Sequence, residues 1–291
     1  MQEFREKLLL IHHCRGIGWK SIFLILQNDP HLQTLKKKSL KDWQKTLHPL
    51  NPQQIQLFYH DLHSINIDKK SEQYVENSID YLTIFDDGYP QRLKNMYNPP
   101  WIIYMKGNKK LLNNQKMLAV VGARKFSDYS IEALDLILPQ LIKKGYVIVS
   151  GLALGVDALA HKLAISHLGS TIGVLGGGLF KLYPKENIAL ALKMMNEQLV
   201  LSEAHPALAA EPWMFPQRNR IISGLSDGVL IVEATRRSGS LITAYHALEQ
   251  GKEVFCIPGN IANPLSEGTN TLIQEGAKLV QSYKDIDQEF L

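Results

Sequence analysis

The chain has 291 residues, 45% of them apolar and 21% charged, with two cysteines. Such values belong to a globular protein with a sizeable core and exclude disorder over most of the length, a disulfide framework and a structural zinc site built on cysteines. The longest stretch without Asp, Glu, Lys or Arg, 163–180, is broken by five glycines, His167 and Ser170, so no membrane span is predicted. The apolar run at 8–11 is too short for a signal peptide, and the chain reads as cytoplasmic. Net charge is +4, from 32 basic and 28 acidic side chains. Residues 1–70 hold 11 of the basic and 6 of the acidic ones, net +5, which leaves −1 on the other 221. A basic excess attracts nucleic acid or an anionic surface, although a run such as Lys36-Lys37-Lys38 is commonly just a solvated face.

In chain order, Phe4, Lys7, Leu8 and Ile11 share one helical face, and Ile22, Phe23 and Leu26 resume the period after Gly16-Ile17-Gly18. This pattern resembles a helix-hairpin-helix unit, whose turn N–H groups can meet a DNA phosphate. A tight turn in a small helical bundle is the plainer reading, since a lone GxG is weak evidence. Residues 1–70 are predicted to form a small all-α domain, and polar residues around 68–76 predict a linker at 71–80.

From 81 onward, apolar strands alternate with helices. Strands are predicted at 118–121, 146–149, 171–175, 229–232 and 253–257, with helices near 130–144, 156–167, 187–198 and 240–250. Strands apolar throughout and separated by helices imply a mainly parallel sheet covered on both faces. The fold class expected for 81–291 is therefore α/β, a doubly wound Rossmann-like sheet, and ligands of such sheets bind outside the carboxyl ends of the strands.

The loops at those ends share a character. One carries Gly122-Ala123-Arg124-Lys125, the next Ser150-Gly151 through Gly155-Val156-Asp157, and the third Gly176-Gly177-Gly178 followed by Lys181, Tyr183 and Lys185. The fourth runs from Glu233 to Ser238-Gly239-Ser240, past Arg236 and Arg237. Glycines let backbone N–H groups approach a ligand, and helix starts add positive dipole, so four such loops on one sheet edge predict an anion-binding cleft. Neither GxxxxGK[ST] nor the dinucleotide spacing is present. Phe215-Pro216-Gln217-Arg218-Asn219-Arg220 precedes Ile221, Ile222 and Leu225; two arginines beside an aromatic ring suit a polyanion with exposed bases. Core packing is the plainer reading of Phe215 and Phe180, and both readings stay open at this level. Asp157 and His161, four apart, share a helical face, but no metal-spaced second histidine, GxSxG elbow or Cys–His pairing accompanies them. No catalytic residue, metal site or cofactor is predicted. Asp157 is expected to bond its own Gly-rich turn, and Cys256 to sit in the core.

These motifs, with Tyr183-Pro184-Lys185-Glu186-Asn187, Ser238-Gly239-Ser240-Leu241-Ile242-Thr243-Ala244, Val254-Phe255-Cys256-Ile257-Pro258-Gly259 and Gly268-Thr269-Asn270, closely resemble the DNA-processing protein A family from about residue 86 onward. Residues 87–104 resemble the lead-in that extends the family's Rossmann fold, and 1–70 its sterile-alpha-motif-type domain. The resemblance implies a cytoplasmic protein that binds single-stranded DNA during natural transformation, protects it and loads RecA recombinase, without established catalysis. It places Arg124, Lys185, Phe215, Arg218 and Arg220 in the DNA pocket, where the strand-end loops add Lys125, Ser150, Gly151, Gly176, Gly177, Lys181, Asn219, Ser238, Gly239 and Ser240. It also implies a homodimer through the C-terminal part of the Rossmann domain, here Leu272, Ile273 and Leu279 on an amphipathic 272–279 segment.

Two departures stand out. Ala123 occupies a position where the family usually has Ser or Thr, and no winged-helix domain of the kind many members carry is expected after the Rossmann part, with the sequence at Leu291 soon beyond it. The alternative expectation is a phosphoribohydrolase-like, nucleotide-binding hydrolase using Glu233, although that group's PGGxGTxxE pattern is absent.

Overall fold

The computed structural model describes residues 2–290, which divide into two units: residues up to 87 with 100–103, and 88–99 with 104–290. The first unit contains α1 (Gln2–His13), α2 (Trp19–Asn28), α3 (Leu40–Thr46), α4 (Pro52–Ser64), α5 (Ile67–Glu76) and β1 (Asp80–Thr83). Leu8 to Ile11 are all buried, so α1 is the central helix of this bundle rather than a one-faced one. Around it, Trp43 and Phe58 meet edge to face at 5.0 Å. Asp61 of α4 accepts the backbone N–H of Arg15 at 2.9 Å and its guanidinium at 2.8 and 2.7 Å.

One expectation changes here, and one left open is resolved. The stretch taken as a linker is the end of α5 followed by β1; Asn66 caps that helix by accepting the Lys69 N–H at 3.0 Å, and Tyr74 is buried against His13. Its polar residues form a solvated helix face. The Gly16-Ile17-Gly18 turn packs on α4: Gly16 has φ +81°, a Cβ there would overlap the Gln54 carbonyl, and the Gly18 N–H already bonds Ser21 Oγ at 3.4 Å.

The chain continues with α6 (Gln91–Lys94), β2 (Ile102–Gly107), β3 (Met117–Val121), α7 (Asp128–Lys143), β4 (Val147–Gly151), α8 (Val156–Ser166), β5 (Ser170–Leu175), α9 (Ile188–Glu197) and β6 (Leu199–Ser202). It closes with α10 (Met214–Leu225), β7 (Gly228–Ile231), α11 (Gly239–Glu249), β8 (Glu253–Cys256), α12 (Glu267–Gln274), β9 (Lys278–Leu279) and α13 (Tyr283–Asp287). Among the described residues from β2 onward the strands lie in the order β2-β6-β5-β4-β3-β7-β8-β9. From β6 to β9 neighbours are parallel, while β2 runs antiparallel to β6 with Tyr104 opposite Ser202. The α/β, mainly parallel, doubly wound class is what the sequence led us to expect.

Leu118 and Val120 of β3 point to the face covered by α7, α8 and α13, where Leu134, Leu138, Val156 and Ile286 complete a buried cluster. Ala119 and Val121, pointing the other way by strand alternation, are equally buried; β3 is therefore enclosed on both faces. β6 had no sequence cue, because only Gln198 separates its apolar run from α9. The 272–279 segment is not one helix: α12 stops at Gln274, Gly276 turns the chain with φ +111°, and Leu279 lies in β9. Leu272 is 3% exposed and packs inward, so it is unavailable to a partner; Leu279, 43% exposed, remains on the surface.

Candidate functional site

β3 pairs with β4 on one side and β7 on the other, and the connections from β3 and β7 diverge from this point. Such a switch in strand order opens a crevice at the carboxyl ends. A cavity of about 590 Å³ occupies it. Its walls are the loop after β3 (Arg124, Lys125), the loop after β7 with the start of α11 (Thr235, Ser238–Ser240), and the first turns of α10 (Phe215, Arg218, Asn219).

Arg124 and Lys125 are exposed at the rim. Arg218 is buried in the floor, donating to the Val174 carbonyl and, at 3.2 Å, to Asn219 Oδ1. Asp157 lies beside it: burial raises its carboxyl above the usual range, and the Arg218 charge opposes that rise. Behind them His161 is fully buried, its Nε2–H donating to the Gly151 carbonyl at 2.7 Å and its Nδ1 meeting Thr171 Oγ1 at 2.6 Å. Burial pulls its pKa down to about 4, so the ring is neutral near pH 7.

The start of α11 is the most open part of the wall. Ser238 caps the helix, its Oγ 2.7 Å from Ser240 Oγ, and nothing lies within 4 Å of a Cβ built on Gly239. One turn further, Thr243 lines the cavity while 1% exposed, and its buried Oγ1 has no partner among the described residues. Sequence reading did not single out Thr243; its i, i+3 spacing from Ser240 was the available signal.

Gly122 also lines the cavity, whereas Gly151, Gly176 and Gly177 face protein. A Cβ on Gly151 would overlap Asp157 and Arg218, one on Gly177 would press on Ala210, and Gly176 abuts the Phe215 ring. Their absence of side chains lets neighbouring loops close on one another. Ser150 is likewise internal, its hydroxyl donating to the Val120 carbonyl at 2.6 Å. Lys181 and Lys185 are exposed outside the cavity lining, on the loop whose Tyr183 ring sits 5.9 Å from that of Phe215.

Arg220, expected in the DNA pocket, lies outside the cleft. Two residues beyond Arg218, it points away from the cleft, is 9% exposed, and donates to the Asn98 carbonyl at 2.6 Å and to both Glu203 oxygens at 2.6 Å. Both of its Nη groups are committed to holding α10. Glu233 is not a cleft acid either: 1% exposed, it accepts the Ser127 N–H at 2.8 Å, the Ser127 hydroxyl at 2.6 Å and the Ser130 hydroxyl at 2.7 Å. It ties the loop after β3 to the end of β7, the two walls of the cleft.

The arrangement offers one buried and two exposed cations, a bare helix start with a buried hydroxyl one turn on, and an aromatic ring, the components for holding phosphate beside a flat base. No group of His, Cys, Asp and Glu among the described residues has the geometry of a metal site, and no described helix is long and apolar enough to cross a membrane.

Residues 80–291 match the family model described as DNA recombination-mediator protein A. The chain is 39% identical over 271 residues to DNA processing protein DprA of Bacillus subtilis, covering 93% of this chain and 88% of that one. It is 47% identical over 208 residues to the Streptococcus pneumoniae DprA, covering 72% and 73%. The X-ray structure of the S. pneumoniae protein superposes with TM-score 0.83 at 38% identity over 98% of this chain and 96% of that one. A structure of Helicobacter pylori DNA processing protein A, concerned with its single-stranded DNA binding mode, superposes with TM-score 0.65 at 31% identity over 72% and 95%.

Proposed function

This chain belongs to the DNA recombination-mediator protein A family, and on that premise we propose that its strand-end cleft binds single-stranded DNA. The observation that carries the reading is the convergence of Arg124, Lys125 and Arg218, the Phe215 ring and the open α11 start on one cavity. Phosphates would lie against the cations and the helix N-terminus, with a base against Phe215. Lys181, Lys185 and Tyr183 extend the basic and aromatic surface beside it. Binding suits this cleft better than hydrolysis, because Glu233 is committed to Ser127 and Ser130.

In this reading the protein is a cytoplasmic recombination mediator of natural transformation that protects incoming DNA and loads RecA. It would act as a homodimer through Ile273 and Leu279. Leu272 has no part in that surface. The family relationship is the support for these finer steps.

The test is fluorescence anisotropy of a labelled single-stranded oligonucleotide across a salt series, with duplex competitor. Tight binding that falls steeply with salt and resists duplex is expected, since each phosphate contact releases counterions. No binding at low salt would sink the reading and favour a mononucleotide ligand.

A further inference from the structure

A second cavity, of about 470 Å³, opens on the same carboxyl edge of the sheet, between the start of α7 and the loop after β8. It is lined by Tyr129, Pro258, Gly259, Asn260, Asn263 and Ser266. Two stretches of chain wall both cavities: Lys125 faces the cleft and Tyr129, four residues on, faces the groove, while Leu265 faces the cleft and Ser266 the groove. A polymer seated in the cleft therefore has a neighbouring place to continue.

The groove's chemistry differs from the cleft's. None of its lining side chains is charged, so it offers no electrostatic hold on phosphate. It offers instead a flat wall: Tyr129 is 39% exposed, and its hydroxyl donates to the Pro258 carbonyl at 2.6 Å, which fixes the ring. The opposite loop is held as firmly. Asn270 accepts the Gly259 N–H at 3.1 Å and donates back to the Gly259 carbonyl at 3.0 Å. Within that loop, Asn260 Oδ1 accepts the Ala262 N–H at 2.9 Å and Asn263 Oδ1 the Leu265 N–H at 3.0 Å. A backbone N–H bonds only the amide oxygen, so the orientation of both carboxamides is decided, and their NH2 ends are left as donors.

We propose that this groove is a second subsite for the same strand: it takes a keto-bearing nucleobase, stacked on Tyr129, with its keto oxygen accepting from Asn260 and Asn263. The proposal rests on the single-stranded DNA reading of the cleft. Thymine or guanine fits such donors, whereas the exocyclic amine of adenine meets no free carboxamide oxygen.

The experiment measures anisotropy of full-length protein with oligothymidylates and oligoadenylates of increasing length, for the parent, Tyr129→Ala, Tyr129→Phe and Asn260→Asp, each checked by thermal melting. Parent affinity is expected to rise with length past the shortest oligomers that bind. Tyr129→Ala should lose about tenfold on the longer oligothymidylates and nothing on the shortest, as removal of one stacking ring does. Tyr129→Phe keeps the ring and should bind like the parent. Asn260→Asp keeps the oxygen that caps the Ala262 N–H but replaces the donor with an acceptor, so the preference for thymine over adenine should vanish or reverse, a ratio insensitive to general charge repulsion. The groove assignment is overturned if Tyr129→Ala binds every length like the parent, or if Tyr129→Phe loses as much as Tyr129→Ala. Should Tyr129→Ala fail to fold, an unchanged base preference in Asn260→Asp overturns it alone. A parent that binds no oligomer overturns the DNA reading itself, an outcome distinct from intact binding with a silent groove.

Discussion

At the scale of single residues, the two arginines of the Phe215–Arg220 motif separate. Arg218 lines the cleft and Arg220 is locked to Glu203 and Asn98. Arg124, exposed across the cleft from Arg218, carries no structural bond among the described residues, so Arg124→Ala should weaken oligonucleotide binding about tenfold, lower the salt slope by roughly one, and leave the melting temperature unchanged. Arg220→Ala should act on stability instead. It strands the half-buried Glu203 carboxylate and should cost about 1–3 kcal/mol in urea unfolding. Equal effects of the two substitutions on binding at unchanged stability would contradict this division. The motif was legible in the chain, but which arginine faces outward was not: residues two apart on a helix lie about 200° apart around its axis, and only the packing of α10 says which side is solvent.

At the scale of elements, the glycines sort by what they face. Gly155 has φ +87°, and a Cβ there would run into the Ala123 carbonyl and Arg124, so Gly155→Ala should destabilise the fold measurably. Gly239→Ala meets no neighbour and should melt no lower than the parent; a methyl over the bared start of α11 should instead reduce DNA affinity, read by anisotropy. His161 joins α8 to the strands beneath through Gly151 and Thr171. Its folded-state pKa of about 4 lies below the ordinary value of 6.5, so the folded state favours the neutral ring. That contribution, at most about 3 kcal/mol, is complete above pH 6.5 and is lost as pH falls toward 4. Melting temperatures of the parent should drop through that window more steeply than those of His161→Gln. Equal slopes would show that other groups govern the acid limb.

At the scale of the whole molecule, the sheet order places the site. Strands β3 and β7 are distant in sequence, 117–121 and 228–231, yet adjacent in the sheet, and Glu233 clamps their loops together. Glu233→Gln keeps the shape but leaves one NH2 facing the Ser127 and Ser130 donors, so it should lower both stability and DNA affinity. A loss of affinity at unchanged stability would mean that Glu233 touches the ligand after all. On the proposed homodimer reading, Leu279→Glu should leave only monomer in sedimentation where the parent sediments as a dimer, whereas substitution of Leu272 should chiefly destabilise the chain, because that side chain is interior.

The chain by itself determined the class of the fold and marked the strand-end loops as the candidates for a site. Fully apolar runs of four or five residues alternating with amphipathic stretches admit little but a covered parallel sheet, and such sheets bind ligands at their carboxyl ends. The short strand at 199–202 was invisible because no turn residue separates it from α9, and 71–80 passed for a linker because a solvated helix face and a linker share a composition. Only tertiary structure decided which strand-end residues meet. Packing consumed Ser150, Gly151, Gly177, Arg220 and Glu233 and left Arg124, Lys125, Phe215, Arg218 and Ser238–Ser240 around one cavity. The reason is physical: a loop sequence specifies what a backbone can do, whereas whether a glycine or an arginine serves a ligand or a neighbouring loop depends on what folds against it from elsewhere in the chain.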